Sequence, residues 1–138
     1  MRFADTSSFW HWFLSAAAAL VATILGGWGA AMTTLVIVIL ADIASGLIRA
    51  TIQKQVSSTI SFHGMLKKCL IFLIVVLAYR LDCTAQTGTL LRDATITFFI
   101  VSEGLSVIEN TVAAGLPVPQ FLKDALKQLN EKKAGGSG

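Results

Sequence analysis

A chain of 138 residues with 54% hydrophobic and only 14% charged positions has too little polar surface to wrap a water-soluble globule, since soluble domains average about 25% charged. Its mean hydropathy of +0.71 points to a lipid environment, where four spans of about 20 residues would use roughly 80 positions and leave no separate soluble enzyme domain. The net charge of +3 sits beside apolar segments, so it is read as orienting the chain in a membrane, not as a nucleic-acid surface.

Between Asp5 and Asp42 there is no Lys, Arg, Asp or Glu. Phe9 to Leu25 reads FWHWFLSAAAALVATIL and Ala30 to Leu40 reads AAMTTLVIVIL. An apolar run of about 18 residues or more is a transmembrane candidate. As one helix, Thr6 to Ala41 would measure about 54 Å at 1.5 Å per residue, far more than a hydrocarbon core of about 30 Å. The pattern therefore predicts a first span over 9–25, a hairpin at Gly26-Gly27-Trp28-Gly29 and a second span over 30–48. A first segment lying flat on the membrane is disfavoured because it lacks a charged face. Phe9, Trp10, Trp12 and Phe13 would mark one interface and Trp28 the other. Ala16 to Ala19 give a narrow helix surface, suited to close packing against a neighbour or serving simply as helix filler. Arg2 ahead of an apolar run imitates a secretory signal, but aromatics bracket the run and Gly29-Ala30-Ala31 is a poor cleavage site, so it is expected to be retained.

The second span carries Asp42 and ends at Arg49, seven residues on and on the same helix face. An acid inside a span costs a few kcal/mol and usually faces protein or water, which makes Asp42 a candidate site residue. The alternative is that it sits among headgroups at the end of the span. From Arg49 to Lys68 the chain holds Arg49, Lys54, Lys67 and Lys68 and no acid. Ser57, Ser58, Thr59 and Ser61 suggest a polar loop there. A third span over 65–81 has the core CLIFLIVVLAY, reaching full length only if Lys67 and Lys68 join the helix and snorkel.

The next loop is expected to contain Arg80, Asp82, Arg92 and Asp93, whose charges cancel. The fourth span, 94–113, carries Ser102, Glu103, Ser106, Glu109 and Asn110. Ser102, Ser106 and Glu109 share one face, and Glu103, Ser106 and Asn110 an overlapping one, so this helix has a polar stripe. Gly115, Pro117 and Pro119 terminate it. An amphipathic helix follows within 115–134, with Phe121, Leu122, Ala125, Leu126 and Leu129 as its apolar stripe. Gly135-Gly136-Ser137-Gly138 reads as a linker outside the fold.

Orientation follows from cations. The Arg49–Lys68 stretch, and the tail with Lys123, Lys127, Lys132 and Lys133, are assigned to the cytoplasm. Four spans then place both termini inside.

No Gly-rich phosphate loop, GxSxG or HExxH occurs, so no enzyme, cofactor or metal site is expected. His11 and His63 are read as interfacial, and Cys69 and Cys83 form no CxxC or disulfide pattern. The informative residues are Asp42, Glu103 and Glu109. Either they pair with Arg49, Arg80 or Arg92 within one bundle, or the stripe on the fourth span becomes a water-lined surface when copies assemble.

Three segments carry a family resemblance: Asp42-Ile43-Ala44-Ser45-Gly46, Ser57–Asp82 (SSTISFHGMLKKCLIFLIVVLAYRLD) and Val101–Lys132 (VSEGLSVIENTVAAGLPVPQFLKDALKQLNEK). The chain from Asp42 to Lys132 resembles the phage-lysis and toxin-secretion holins, with EGLSxxEN and GLPVPxxLKxAL as its most specific pieces. The resemblance implies an all-α integral membrane protein of three or four spans that oligomerises in the host cytoplasmic membrane. It implies lesions that release a muralytic endolysin or a toxin and collapse the membrane potential. Glu103 and Glu109 would belong to the stripe, Asp42 would be a second polar anchor, and the cationic tail would touch anionic lipid. The alternatives are a small proton-coupled transporter built on an intramembrane Glu and a non-pore membrane adaptor.

Overall fold

The computed structural model describes residues 6–55, 58–122, 124, 125 and 128. Four helices hold nearly all of them: α1 (Thr6–Ile24), α2 (Ala30–Ile52), α3 (Ser58–Ala85) and α4 (Leu90–Ala113). No strand occurs among the described residues. Three helical stretches are long and apolar enough to cross a membrane: Ala30–Ile52, Phe62–Ala85 and Leu90–Ala113. In α1 the apolar stretch is the shorter Ser8–Ile24. Beyond α4, residues 120–122, 124, 125 and 128 are helical. Lys123, Lys127, Lys132 and Lys133 lie outside the described residues, as do Leu126 and Leu129 of the expected amphipathic stripe.

The helices end in one recurring way. At the end of α1, Gly27 N–H donates to Ala22 O (2.8 Å) and Gly26 N–H to Thr23 O (3.2 Å). This paired pattern needs a left-handed residue, supplied by Gly26 at φ +79°. α4 ends the same way at Gly115. In α2 and α3 the left-handed position falls to Lys54 and Gln86, where glycine would have been free of strain.

Two loop expectations are corrected. Ser58, Thr59 and Ser61 belong to α3, which starts at Ser58. Arg80 and Asp82 lie in α3, and Arg92 and Asp93 lie in α4, so the connection between them is only residues 86–89. The physical reason is that Asp82, wholly buried, caps the next helix: its carboxylate accepts from Leu91 N–H (3.0 Å), Arg92 N–H (2.8 Å) and Thr87 Oγ1. These are the orphan donors that a helix start must satisfy.

α4 is the central helix. It packs along α2 and along α3, whereas α2 and α3 scarcely approach each other. Each contributes one buried seam, in alternating steps of three and four residues on α2 and α3 and in steps of four and seven on α4, the spacing of a helix-packing stripe. On α2 the seam is Met32, Leu35, Ile39 and Asp42. On α3 it is Ile71, Val75, Ala78 and Asp82, and on α4 Arg92, Ile96, Glu103 and Asn110. The middle of the bundle is apolar, joined by Leu25 from the end of α1. Both ends of the seam are polar.

The rest of α1 packs on little. Phe9 to Val21, including Ala16 to Ala19, are exposed, so the alanines meet no neighbour within this chain.

The outside is the reverse of a soluble protein. Ile37, Leu40, Leu47, Leu70, Leu73, Leu77 and Phe98 are each more than half exposed, while Asp42, Asp82, Arg92, Glu103 and Asn110 are buried. Hydroxyls on the outer faces are also satisfied: Thr23, Thr34, Thr51, Thr84, Thr95 and Thr97 each donate to the carbonyl four residues earlier. A bilayer supplies no water to do this.

Candidate functional site

The chemistry gathers where the polar ends of the seams meet. Asp42 is near the middle of α2, about 15 Å from its C-terminal end at 1.5 Å per residue, and Glu103 sits at a matching depth in α4. Asp42 is buried against α4 and does not face outward from the bundle. The two acids face each other across the α2–α4 contact. Between them stands Lys68 of α3, whose Nζ lies 2.6 Å from Asp42 Oδ2 and also pairs with Glu103 Oε2. All three side chains are nearly buried.

A second tier continues toward the C-terminal ends of α2 and α4. Asn110 donates through Nδ2 to Asp42 Oδ1 (3.1 Å) and to Ser45 Oγ (3.2 Å). Its Oδ1 accepts from Arg49 Nη1 at 3.1 Å. Ser45 donates to the Asp42 carbonyl at 3.0 Å. Gln53 Nε2, one turn beyond Arg49, donates to Ala113 O at 3.1 Å. Gly46 lies beside the amide, where a Cβ would make an ordinary 3.5 Å contact with Asn110 Nδ2. No buried side-chain N or O among the described residues lacks a partner. Lys68 thus serves both Asp42 and Glu103, while Arg49 reaches the network only through the neutral Asn110 amide. Without partners, each ion would cost several kcal/mol in such surroundings.

The candidate stripe on α4 divides. Glu103 and Asn110 are buried, Ser106 and Ser102 are half-buried, and Glu109 is exposed. The Glu103–Ser106–Asn110 face turns into the bundle. The counter-ions differ from those expected. Lys68 pairs with the acids where Arg49, Arg80 or Arg92 had been candidates, and it turns inward where snorkelling had been expected. Arg49 bonds an amide, and Arg92 serves the opposite end. Lys54 and Lys67 are exposed, as are the free thiols Cys69 and Cys83.

At that opposite end, Arg92 donates through Nε to Leu25 O (2.6 Å) and through Nη2 to Gly27 O (2.7 Å). It also pairs with Asp93 at 2.9 Å. It thereby holds the α1–α2 turn against the start of α4. Sequence reasoning missed Lys68, Ser45, Asp82 and Arg92 as network members. A usable signal existed for two of them: Lys68 and Asp82 fall on the same three–four stepping as Ile71, Val75 and Ala78.

Comparison with known proteins adds a second line. A model of the bacteriophage holin family matches residues 19–131. An uncharacterised 14.9 kDa protein from the nagH 3′ region of Clostridium perfringens is 37% identical over 123 residues, covering 88% of this chain and 93% of the relative. An uncharacterised protein of Halalkalibacterium halodurans is 31% identical over 123 residues, covering 86% and 91%. A protein of Bacillus phage phi105 that bears the name probable holin is 35% identical over 85 residues, 62% of this chain and 63% of its own. No solved structure matches.

Proposed function

The chain belongs to the bacteriophage holin family, and from that premise we propose that it oligomerises in a bacterial cytoplasmic membrane and opens lesions. These release an endolysin or a toxin and depolarise the cell. The observation that carries the reading is the inverted polarity of the bundle. Apolar side chains face outward, and Asp42, Lys68, Glu103 and Asn110 satisfy one another inside.

One bundle of this size has no room for a wide channel. The polar seam becomes useful when copies assemble. Glu103, Ser106 and Asn110 then exchange partners within the chain for water at a shared lumen, and the apolar faces stay in lipid. The exchange costs little if every group remains solvated, whereas an unpaired acid in hydrocarbon is expensive.

The proposed topology has four spans, with α1 as the first and both termini cytoplasmic. α1 has 19 residues, about 28 Å at 1.5 Å each, close to a core of about 30 Å. Lys54 and Lys67 then mark the cytoplasmic side by the positive-inside rule. The α1–α2 turn and the α3–α4 connection share the outer side, a pairing supported by the Arg92 bonds to the turn.

The test is expression of the chain alone in a bacterial cell, with membrane potential and growth followed together. Abrupt depolarisation, and lysis once an endolysin is supplied, is the expected outcome. Saturable proton-dependent transport at full potential would replace the reading with a transporter. Harmless accumulation would replace it with an adaptor.

A further inference from the structure

A cleft of about 740 Å³ opens between the C-terminal half of α2 and the N-terminal half of α3. It fills the space that these two helices, which scarcely approach each other, leave open on one side of α4. Its inner wall is the network already described, with Asp42, Lys68, Ser106 and Asn110. Its mouth carries Arg49 and Lys67, both exposed. Its flanks are Ile43, Leu47 and Met65, and the last two are more than half exposed. The apolar flanks therefore run out onto the lipid-facing surface.

The charges are uneven. Asp42 and Glu103 are both paired with Lys68. Among the described residues, Arg49 and Lys67 have no carboxylate within ion-pair distance. Arg49 spends Nη1 on Asn110 and Nε on Gln53, both neutral, and Lys67 makes no hydrogen bond among the described residues. Two cations without an ion pair thus flank a slot whose sides are apolar. A basic pocket between membrane helices is suited to an anionic lipid headgroup.

We propose that this cleft binds one anionic phospholipid, its phosphate held by Arg49 and Lys67 and an acyl chain lying along Ile43, Leu47 and Met65. The apolar flanks favour a lipid over a free anion, which would leave them unused. The two cations favour a headgroup without its own ammonium. The proposal requires only that α2, α3 and α4 lie in a bilayer, not that they form lesions, so either idea can fail without the other.

The test uses the full chain in phosphatidylcholine nanodiscs with graded phosphatidylglycerol, and native mass spectrometry to count retained lipid. One phosphatidylglycerol per chain is expected. Lys67→Gln should weaken retention about fivefold, and Lys67→Gln with Arg49→Gln roughly 25-fold, at about one surface cation's worth of lipid attraction each. Arg80→Gln, which removes a cation at the other end, should change nothing. Retention unaffected by the double change, or equally weakened by Arg80→Gln, overturns the site. Displacement of the lipid by millimolar inorganic phosphate or glycerophosphate overturns the lipid as occupant. Because Arg49 also bonds Asn110, Arg49→Lys accompanies it and should retain lipid; loss there counts against the charge argument. Helix content by circular dichroism is recorded for each variant, and Lys67→Gln, which breaks no bond among the described residues, decides the matter if the Arg49 variants unfold.

Discussion

Asp42 on α2 and Lys68 on α3 meet at 2.6 Å inside the bundle, although the helices that carry them scarcely approach each other. The contact is made by a long side chain reaching across the seam. Removing the cation strands two nearly buried acids without a counter-ion. Lys68→Met is expected to destabilise the folded bundle by about 3–5 kcal/mol, measured by unfolding in mixed micelles. Adding Asp42→Asn and Glu103→Gln to Lys68→Met should restore most of that loss, because no unpaired ion remains. A triple variant as unstable as the single one would refute the electrostatic account.

Glu103 and Glu109 separate by burial. Glu103→Gln leaves Asp42 and Lys68 as a balanced pair and favours the closed bundle, so depolarisation should start later in cells expressing it. Glu109 is exposed and lacks that link, so Glu109→Gln should shift onset less. Potential-sensitive dye traces from matched expression levels give the comparison. Equal timing for wild type and Glu103→Gln would remove Glu103 from the mechanism.

Gly26 has two reasons to be glycine. Its φ is +79°, and a Cβ would sit 2.5 Å from Tyr79 Cδ2. Gly27 has φ +101° with open space around it. Gly27→Ala should cost only the backbone penalty, about 1–2 kcal/mol. Gly26→Ala should cost that plus about 1–3 kcal/mol of overpacking, seen as a larger drop in midpoint denaturant. Tyr79→Ala should relieve the excess at Gly26 and leave the Gly27 penalty unchanged.

Arg92→Lys keeps the charge but loses the fork that reaches Leu25 O and Gly27 O together. A point charge on a flexible stem does not replace two fixed donors. Amide hydrogen exchange should accelerate over residues 26–29 while the middle of α4 stays protected. Unchanged exchange in the turn would mean that the turn holds itself.

Thiol labelling tests the span count. With Cys69 and Cys83 replaced by Ser, Trp28→Cys and Gly88→Cys should react from the same outer side, and Gln55→Cys from the cytoplasm. Ser8→Cys labelled from the cytoplasm supports four spans. Labelling of Ser8→Cys from outside would leave α1 on the surface and three helices across.

The helices were legible because hydropathy and glycine placement report on short stretches. Gly26, Gly27 and Gly115 each announce a helix end. The polar network was only half legible. Asp42, Glu103 and Asn110 stand out as polar residues within apolar runs. Their counter-ion does not, since Lys68 borders the apolar run CLIFLIVVLAY, where a lysine ordinarily reaches for the interface. Choosing between inward and outward needed the position of α4, which is a property of three helices together. Asp82 reads as a loop residue for a similar reason: a cap supplied from another helix leaves no mark in the sequence around the helix it caps.

The central place of α4 bears on how each copy is made. Domains form as the chain emerges from its N-terminus, yet the helix against which both α2 and α3 pack is the last of the four to be synthesised. Until residue 113 has cleared the insertion machinery, Asp42 has no Asn110 and Lys68 has no Glu103. Of the buried ion cluster, only the Asp42–Lys68 pair can form before α4 arrives.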